Sequence, residues 1–270
     1  MTSLFLGLRD TATMLRRDLT HSLRYLPMTL SGFGTPVIML LLFNYVYGGA
    51  MGAGLGGVAH GGSYINYLAP GILIMTVGSG CATTALNLVS DMSEGIIARF
   101  RTMAIWRASV LTGTVIGSLI RTMITVLLVV AVAFLLGFRP VVHPVAWLAA
   151  FGLTALITLG VTWMGVVFGL VGKTPAGANS LSLIFLLLAF TSSAFVNPAT
   201  MPIGVRQFAE YQPFTPVIDT LRGLLLGTPV DTGSVVLAII WSAVLALIGY
   251  IWSRAVYERN SVAYDLSATR

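Results

Sequence analysis

The feature that most restricts what this chain can fold into is a succession of six long apolar runs, near Thr29–Val46, Tyr67–Val89, Leu119–Phe138, Val145–Val171, Leu181–Val196 and Val235–Trp252. Each approaches the roughly 20 residues an α-helix needs to cross about 30 Å of hydrocarbon. Lipid offers a backbone no hydrogen-bonding partner, so such runs cross as helices, which satisfy their own N–H and C=O groups. The expected fold is an all-α integral membrane protein, a single domain over residues 1–270 with six transmembrane helices. Charge agrees, because only 9% of residues are Asp, Glu, Lys or Arg and 56% are hydrophobic, against about 25% charged in a soluble domain. Six spans leave no room for a soluble catalytic domain.

The segments around the spans carry their own pattern. Leu4, Leu8, Ala12, Leu15, Leu19, Leu23 and Leu26 fall on one helical face, and Arg9, Asp10, Arg16, Arg17, Asp18 and Arg24 occupy the rest. Residues 1–26 therefore read as an amphipathic helix, lying in the membrane interface or packed on another part of the protein. No cleavable signal is expected, since the first apolar run starts late and exceeds a signal core. Gly204–Leu226 is apolar in its second half, but Arg206, Glu210, Pro213, Pro216, Asp219 and Arg222 would be costly at mid-bilayer. A pair of short re-entrant or interfacial helices within residues 197–233 is expected instead.

Lys and Arg set the orientation, because cytoplasmic loops retain them. With the N-terminus inside, the inner segments hold eleven (Arg9, Arg16, Arg17, Arg24, Arg99, Arg101, Arg107, Lys173, Arg254, Arg259 and Arg270) and the outer loops three, Arg139, Arg206 and Arg222. Both termini are expected in the cytoplasm of a multi-pass plasma-membrane protein. The same asymmetry accounts for the sequence pI of about 9.8, so no nucleic-acid partner is inferred. The single Cys81 excludes an intrachain disulfide.

Motifs for chemistry within the chain fail on context. GAGLGG at Gly52–Gly57 fits G-x-G-x-x-G but follows a span and opens no helix. GKT at Gly172–Thr174 lacks a P-loop's first glycine, whose place is taken by Val167. His21, His60 and His143 are far apart and lie outside the spans, so no metal site is expected. The spans contain no Asp, Glu, Lys or His to carry a coupling ion. Their one charge, Arg121, is placed to snorkel to the inner boundary; binding of a solute is the alternative. Neutral polar groups remain, Asn44, Thr83, Thr84, Asn87, Thr191 and Ser192, with Phe43 and Phe185 nearby. They form a candidate pathway for an amphipathic solute, or they bond neighbouring helices. Energy for transport would have to come from a partner.

Charges instead collect in residues 91–113, DMSEGIIARFRTMAIWRASVLTG, where Ile97 and Phe100 are interleaved with Glu94, Arg99 and Arg101. An apolar knob in a charged rim on the cytoplasmic face suits docking to a partner groove. Four blocks, PVIMLLLFNYVYGGAM (Pro36–Met51), YINYLAPGILIMTV (Tyr64–Val77), EGIIARFRTMAI (Glu94–Ile105) and AFVNPATMPIGVRQFAEYQPFTPVIDTLRGLLLG (Ala194–Gly227), resemble the membrane subunits of ABC exporters, most closely the actinobacterial daunorubicin-resistance type. Asn197 departs from that pattern, where a less polar residue is expected.

The resemblance implies a permease that works as a dimer, with an identical or paralogous second subunit, and with separate cytoplasmic ATPase subunits that hold ATP and Mg. The chain itself would carry no cofactor and no catalytic residue. Glu94, Gly95, Ile97, Arg99, Phe100 and Arg101 would form the coupling helix, and residues 1–26 a connecting helix. The outer gate would include Asn197, Pro213, Phe214, Pro216, Asp219 and Arg222. The implied function is export of a hydrophobic drug or secondary metabolite, with a lipid-linked or polysaccharide substrate as the nearest alternative. A secondary carrier or a membrane enzyme is disfavoured by the interior without titratable groups.

Overall fold

A computed structural model describes residues 26–49, 64–93, 107–141 and 143–268, with side chains described at 34–49, 64–93, 111–141 and 143–257. Every regular element among them is helical. α1 covers Leu26–Leu42 and continues through a π-helical turn, Phe43–Tyr47. α2 is Tyr64–Ser93, α3 Arg107–Leu135, α4 Pro144–Gly172 and α5 Pro175–Phe190. After a 3₁₀ turn at Pro198–Thr200 come α6, Ile203–Tyr211, α7, Phe214–Leu226, and α8, Thr232–Ala268.

Four of these, in α2, α3, α4 and α8, are long and apolar enough to cross a membrane. The run expected at Leu181–Val196 is displaced: its helix is α5, Pro175–Phe190, and residues 191–196 form turns. The cause is local. Lys173 ends α4 in a left-handed conformation, φ 54°, and the Thr174 hydroxyl then accepts from Gly177 N at 3.1 Å to cap α5. The GKT lookalike is thus a helix-to-helix corner. The charged segment expected to form two short helices does so, as α6 and α7. The helices also extend into residues 91–113: α2 reaches Ser93 and α3 starts at Arg107.

The core is built on α2 and α4. Leu68, Ile72, Ile74 and Cys81 of α2 and Ile157, Val161 and Val167 of α4 are fully buried. The two helices approach closely at Gly165 and Gly169, where an added Cβ would lie 2.8 Å from Cys81 O and 2.9 Å from Ala85 O. Small residues let backbones meet, which is how membrane helices gain packing when lipid is as apolar as their side chains. A second cluster joins Leu88, Leu111, Trp163, Leu170 and Tyr257. It places the end of α8 beside the ends of α2 and α4 and the start of α3, the end from which residues 94–106 depart.

Candidate functional site

The opposite end of the bundle, where α3 finishes near Arg139, gathers the polar chemistry. α7 is the organising element. Phe214, Val217, Ile218 and Leu221 of α7 are fully buried, although the sequence around them carries charge. The remaining face has Thr215, Asp219 and Arg222, separated by four and three residues and so aligned along one side of the helix, with Gln212 in the extended link just before it.

Gln212 meets the end of α5, and the α7 residues hold the turn that follows it. A helix of 16 residues is about 24 Å long, and its last carbonyls stop inside protein, where they need donors. Gln212 Nε2 donates to Leu188 O at 3.0 Å and to Thr215 Oγ1 at 3.3 Å. Thr215 Oγ1 accepts from Ser193 N at 3.2 Å, and the Ser193 hydroxyl donates to Asp219 Oδ1 at 2.7 Å. Arg222 donates from Nη1 to the same Asp219 oxygen at 2.8 Å and from Nη2 to Ser193 O at 2.8 Å. A cation beside a helix C-terminus also suits the negative end of its dipole. Arg222 reaches further, to Tyr67 O at 3.4 Å, with its guanidinium carbon 3.8 Å from the centre of the Tyr67 ring. Among the described residues, Gln212 Oε1 and Arg222 Nε are buried without a hydrogen-bond partner.

More stitches close this end. Arg139 N donates to Asn66 Oδ1 at 3.2 Å, and Val141 N to Leu225 O at 2.8 Å. The Phe214 ring lies 5.9 Å from Phe185, which lies 5.9 Å from Phe168. Outside the core, α6 exposes Ile203, Val205, Phe208 and Tyr211, and its Arg206–Glu210 pair, at 2.7 Å, is solvent-facing.

Residues 9–226 match the family described as ABC-2 type transporter, a stretch that takes in the polar stripe on α7. The chain belongs to that family. It is 28% identical over 194 residues to the daunorubicin resistance ABC transporter permease protein DrrB1 of Streptomyces coeruleorubidus, covering 72% of this chain and 66% of that protein. It is 22% identical over 255 residues to the probable doxorubicin resistance ABC transporter permease protein DrrC of Mycobacterium tuberculosis, covering 93% and 89%. Identity to the putative transport permease ycf38 of Porphyra purpurea is 24% over 220 residues, 80% and 74% of the two chains. The protein is a multi-pass membrane subunit of an ABC transporter.

Within this ABC-2 permease, the residues expected from sequence fall into three groups. Pro213, Phe214, Pro216, Asp219 and Arg222 come together on α7 and its start. Asn197 stands apart, capping the 3₁₀ turn by accepting from Ala199 N at 3.0 Å. The candidate pathway residues do not converge on one channel within the subunit. Thr84, Thr191 and Ser192 donate their hydroxyls to carbonyls of their own helix or turn, Gly80 O at 2.8 Å, Leu187 O at 3.0 Å and Ala189 O at 2.6 Å. Phe185 is in the core, Thr83 is exposed, and Asn44 and Asn87 are half-buried. Phe43 stacks on Phe195 with centroids 4.3 Å apart, and Phe195 on Phe190 at 5.4 Å. The third group, Glu94, Gly95, Ile97, Arg99, Phe100 and Arg101, lies outside the described residues, as do residues 1–25 of the expected connecting helix.

Sequence reading missed Tyr67, Ser193, Gln212 and Thr215 as partners of the gate residues. The spacing of polar residues along Gln212–Arg222 is the signal that could have found the last two. Nothing in the sequence singles out Tyr67 or Ser193, which are recruited across 155 and 29 positions.

Proposed function

We propose that this ABC-2 permease moves a hydrophobic drug or secondary metabolite out of a bacterial cell, driven by a separate cytoplasmic ATPase. The observation that carries this reading is membership of the ABC-2 type transporter family over residues 9–226 together with similarity to permeases named for daunorubicin and doxorubicin resistance. The ATPase subunits bind ATP and Mg, and this chain supplies the path. A second permease subunit, identical or paralogous, completes the assembly. In this arrangement α1 and α5 cross the bilayer beside the four long helices, giving six spans with both termini in the cytoplasm. Residues 94–106 then face the ATPase, while α6 and α7 enter from the outer side as re-entrant helices.

Alternation follows from that layout. The coupling segment, Glu94 to Arg101, transmits closure of the ATPase pair to the ends of α2 and α3. The polar end around α7 releases the solute on the outer side. The solute is held by apolar and neutral polar groups, with Phe43, Asn44, Thr83 and Asn87 positioned on accessible faces of α1 and α2.

Proteoliposomes containing the permease and its ATPase are expected to transport an anthracycline dye only with ATP. Phe100→Asp and Glu94→Lys are expected to abolish co-purification of the ATPase while the permease keeps its thermal stability. Full ATPase binding and transport by both variants would overturn the docking assignment, and ATP-independent uptake by the chain alone would overturn the exporter reading.

A further inference from the structure

We propose that an anionic phospholipid docks at the outer end of the α3–α4 hairpin, with one acyl chain in an apolar crevice between the helices and its phosphate held by Arg139. The crevice is lined by Val126 and Val130 of α3, Trp147 and Phe151 of α4, and Leu221 and Leu225 of α7. It reaches back to Val126, nine residues before the end of α3 at Leu135, or about 14 Å along the helix. That depth is close to one leaflet of a hydrocarbon core about 30 Å thick. Phe134, which stacks on Trp147 at 6.0 Å, is 47% exposed, so this side of the hairpin opens to lipid. Only the outer placement rests on the exporter topology proposed above; the crevice and its cation do not.

Charge selects the headgroup. Residues 48–63, 136–143 and 191–231, the outer segments, hold three Arg or Lys residues, Arg139, Arg206 and Arg222, and three carboxylates, Glu210, Asp219 and Asp231. Arg206 pairs with Glu210 at 2.7 Å and Arg222 with Asp219 at 2.8 Å, while Asp231 accepts from Ser234 N at 3.0 Å. Arg139 is left over. Among the described residues its side chain meets no carboxylate, and residues 48–63 contain none to offer. Its backbone is nevertheless fixed, because Arg139 N donates to Asn66 Oδ1 at 3.2 Å and Val141 N donates at 2.8 Å to the carbonyl of Leu225, a residue of the crevice. An exposed cation is thus anchored beside the mouth of an apolar groove at the membrane surface. A phospholipid with a net negative headgroup answers both parts, whereas a neutral solute leaves the guanidinium without a counter-charge. Trp147, near the start of α4, has the amphipathic ring that suits headgroup depth.

The test is lipid retention. The full-length permease is placed in nanodiscs of phosphatidylglycerol and phosphatidylcholine in equal parts, extracted in mild detergent, and its co-purifying lipid is counted by native mass spectrometry. The wild-type chain is expected to keep phosphatidylglycerol in preference. Arg139→Gln is expected to lower that preference about fivefold, the worth of one arginine at an anionic surface. Arg206→Gln removes the same charge from a cation that is already paired, and is expected to leave the preference unchanged. Ala150→Phe fills the crevice from α4 and is expected to abolish retention of both lipids, with thermal stability measured alongside to show that the variant folds. Equal retention of the two lipids by the wild type, or an unchanged preference in Arg139→Gln, overturns the proposal. So does an Ala150→Phe variant that keeps its lipid but loses binding of an anthracycline dye, a result that assigns the crevice to the solute. Neither ATPase nor ATP enters the measurement, so its outcome stands whether or not the exporter reading survives.

Discussion

The two faces of α2 are both packed through glycine, yet they make different joints. Toward α4 the glycines sit on the partner helix, Gly165 and Gly169, and press on Cys81 and Ala85. Large residues on both sides of the contact, Ile74, Leu88, Ile157 and Val166, are buried around it. Toward α5 and the turn after it the glycines belong to α2 itself, Gly71 against Ala194 and Gly78 against Phe185 and the Phe214 ring. The difference teaches that the same device serves two purposes: on one face it brings two long helices together, and on the other it makes room on α2 for a turn and an aromatic cluster.

Substitutions can break this contrast or refine it. The largest effect is expected from Phe214→Ala, which empties the space beside Gly78 and Phe185. Loss of about 3 kcal/mol is expected from the cavity left in a fully buried site, measured by unfolding in mixed micelles, together with faster Cys81 modification by a small maleimide. Gly165→Val attacks the other face. Its Cβ would lie 2.8 Å from a backbone oxygen that has nowhere to move, so a loss of about 2 kcal/mol is expected, with Cys81 still protected in the folded fraction. Equal exposure of Cys81 in the two variants would erase the distinction between the joints. Thr84→Val should do least. Its hydroxyl already donates to Gly80 O within its own helix, so a change below about 0.5 kcal/mol is expected, showing that packing rather than a hydrogen bond closes α2 on α4.

What the sequence made legible follows from the physics of each signal. Apolar runs announce helices wherever lipid forbids other backbones, so α2, α3, α4 and α8 were readable from Tyr67, Leu119, Val145 and Val235 onward. The displaced α5 was not. Its bounds depend on the corner at Lys173 and on the Thr191, Ser192 and Gln212 side chains that donate to its last carbonyls, and hydropathy registers neither. The Gly165–Gly169 spacing was visible but uninformative, because glycine pairs are frequent in apolar segments, and only the approach to Cys81 and Ala85 gives it meaning. The six charged or helix-breaking residues in Gly204–Leu226 go with two short helices in place of one long one. They did not reveal that Asp219 and Arg222 would pair with each other and hold Ser193 in the turn after α5. For Thr84, Thr191 and Ser192, sequence could not separate a solute path from local bonding, and the structure turns each hydroxyl onto a carbonyl nearby in the chain.

The corner at Lys173 has a mechanical consequence. α4 ends at Gly172 and α5 begins at Pro175, too short a link for the two helices to part there. The corner therefore ties the start of α5 to the end of α4, while Ser193, three residues beyond the other end of α5, is bound to Asp219 and Arg222 of α7. For a helix of about 24 Å, a tilt of about 10° at the corner carries the far end by about 4 Å. A small change at one end of α5 thus becomes a displacement longer than a hydrogen bond at the other.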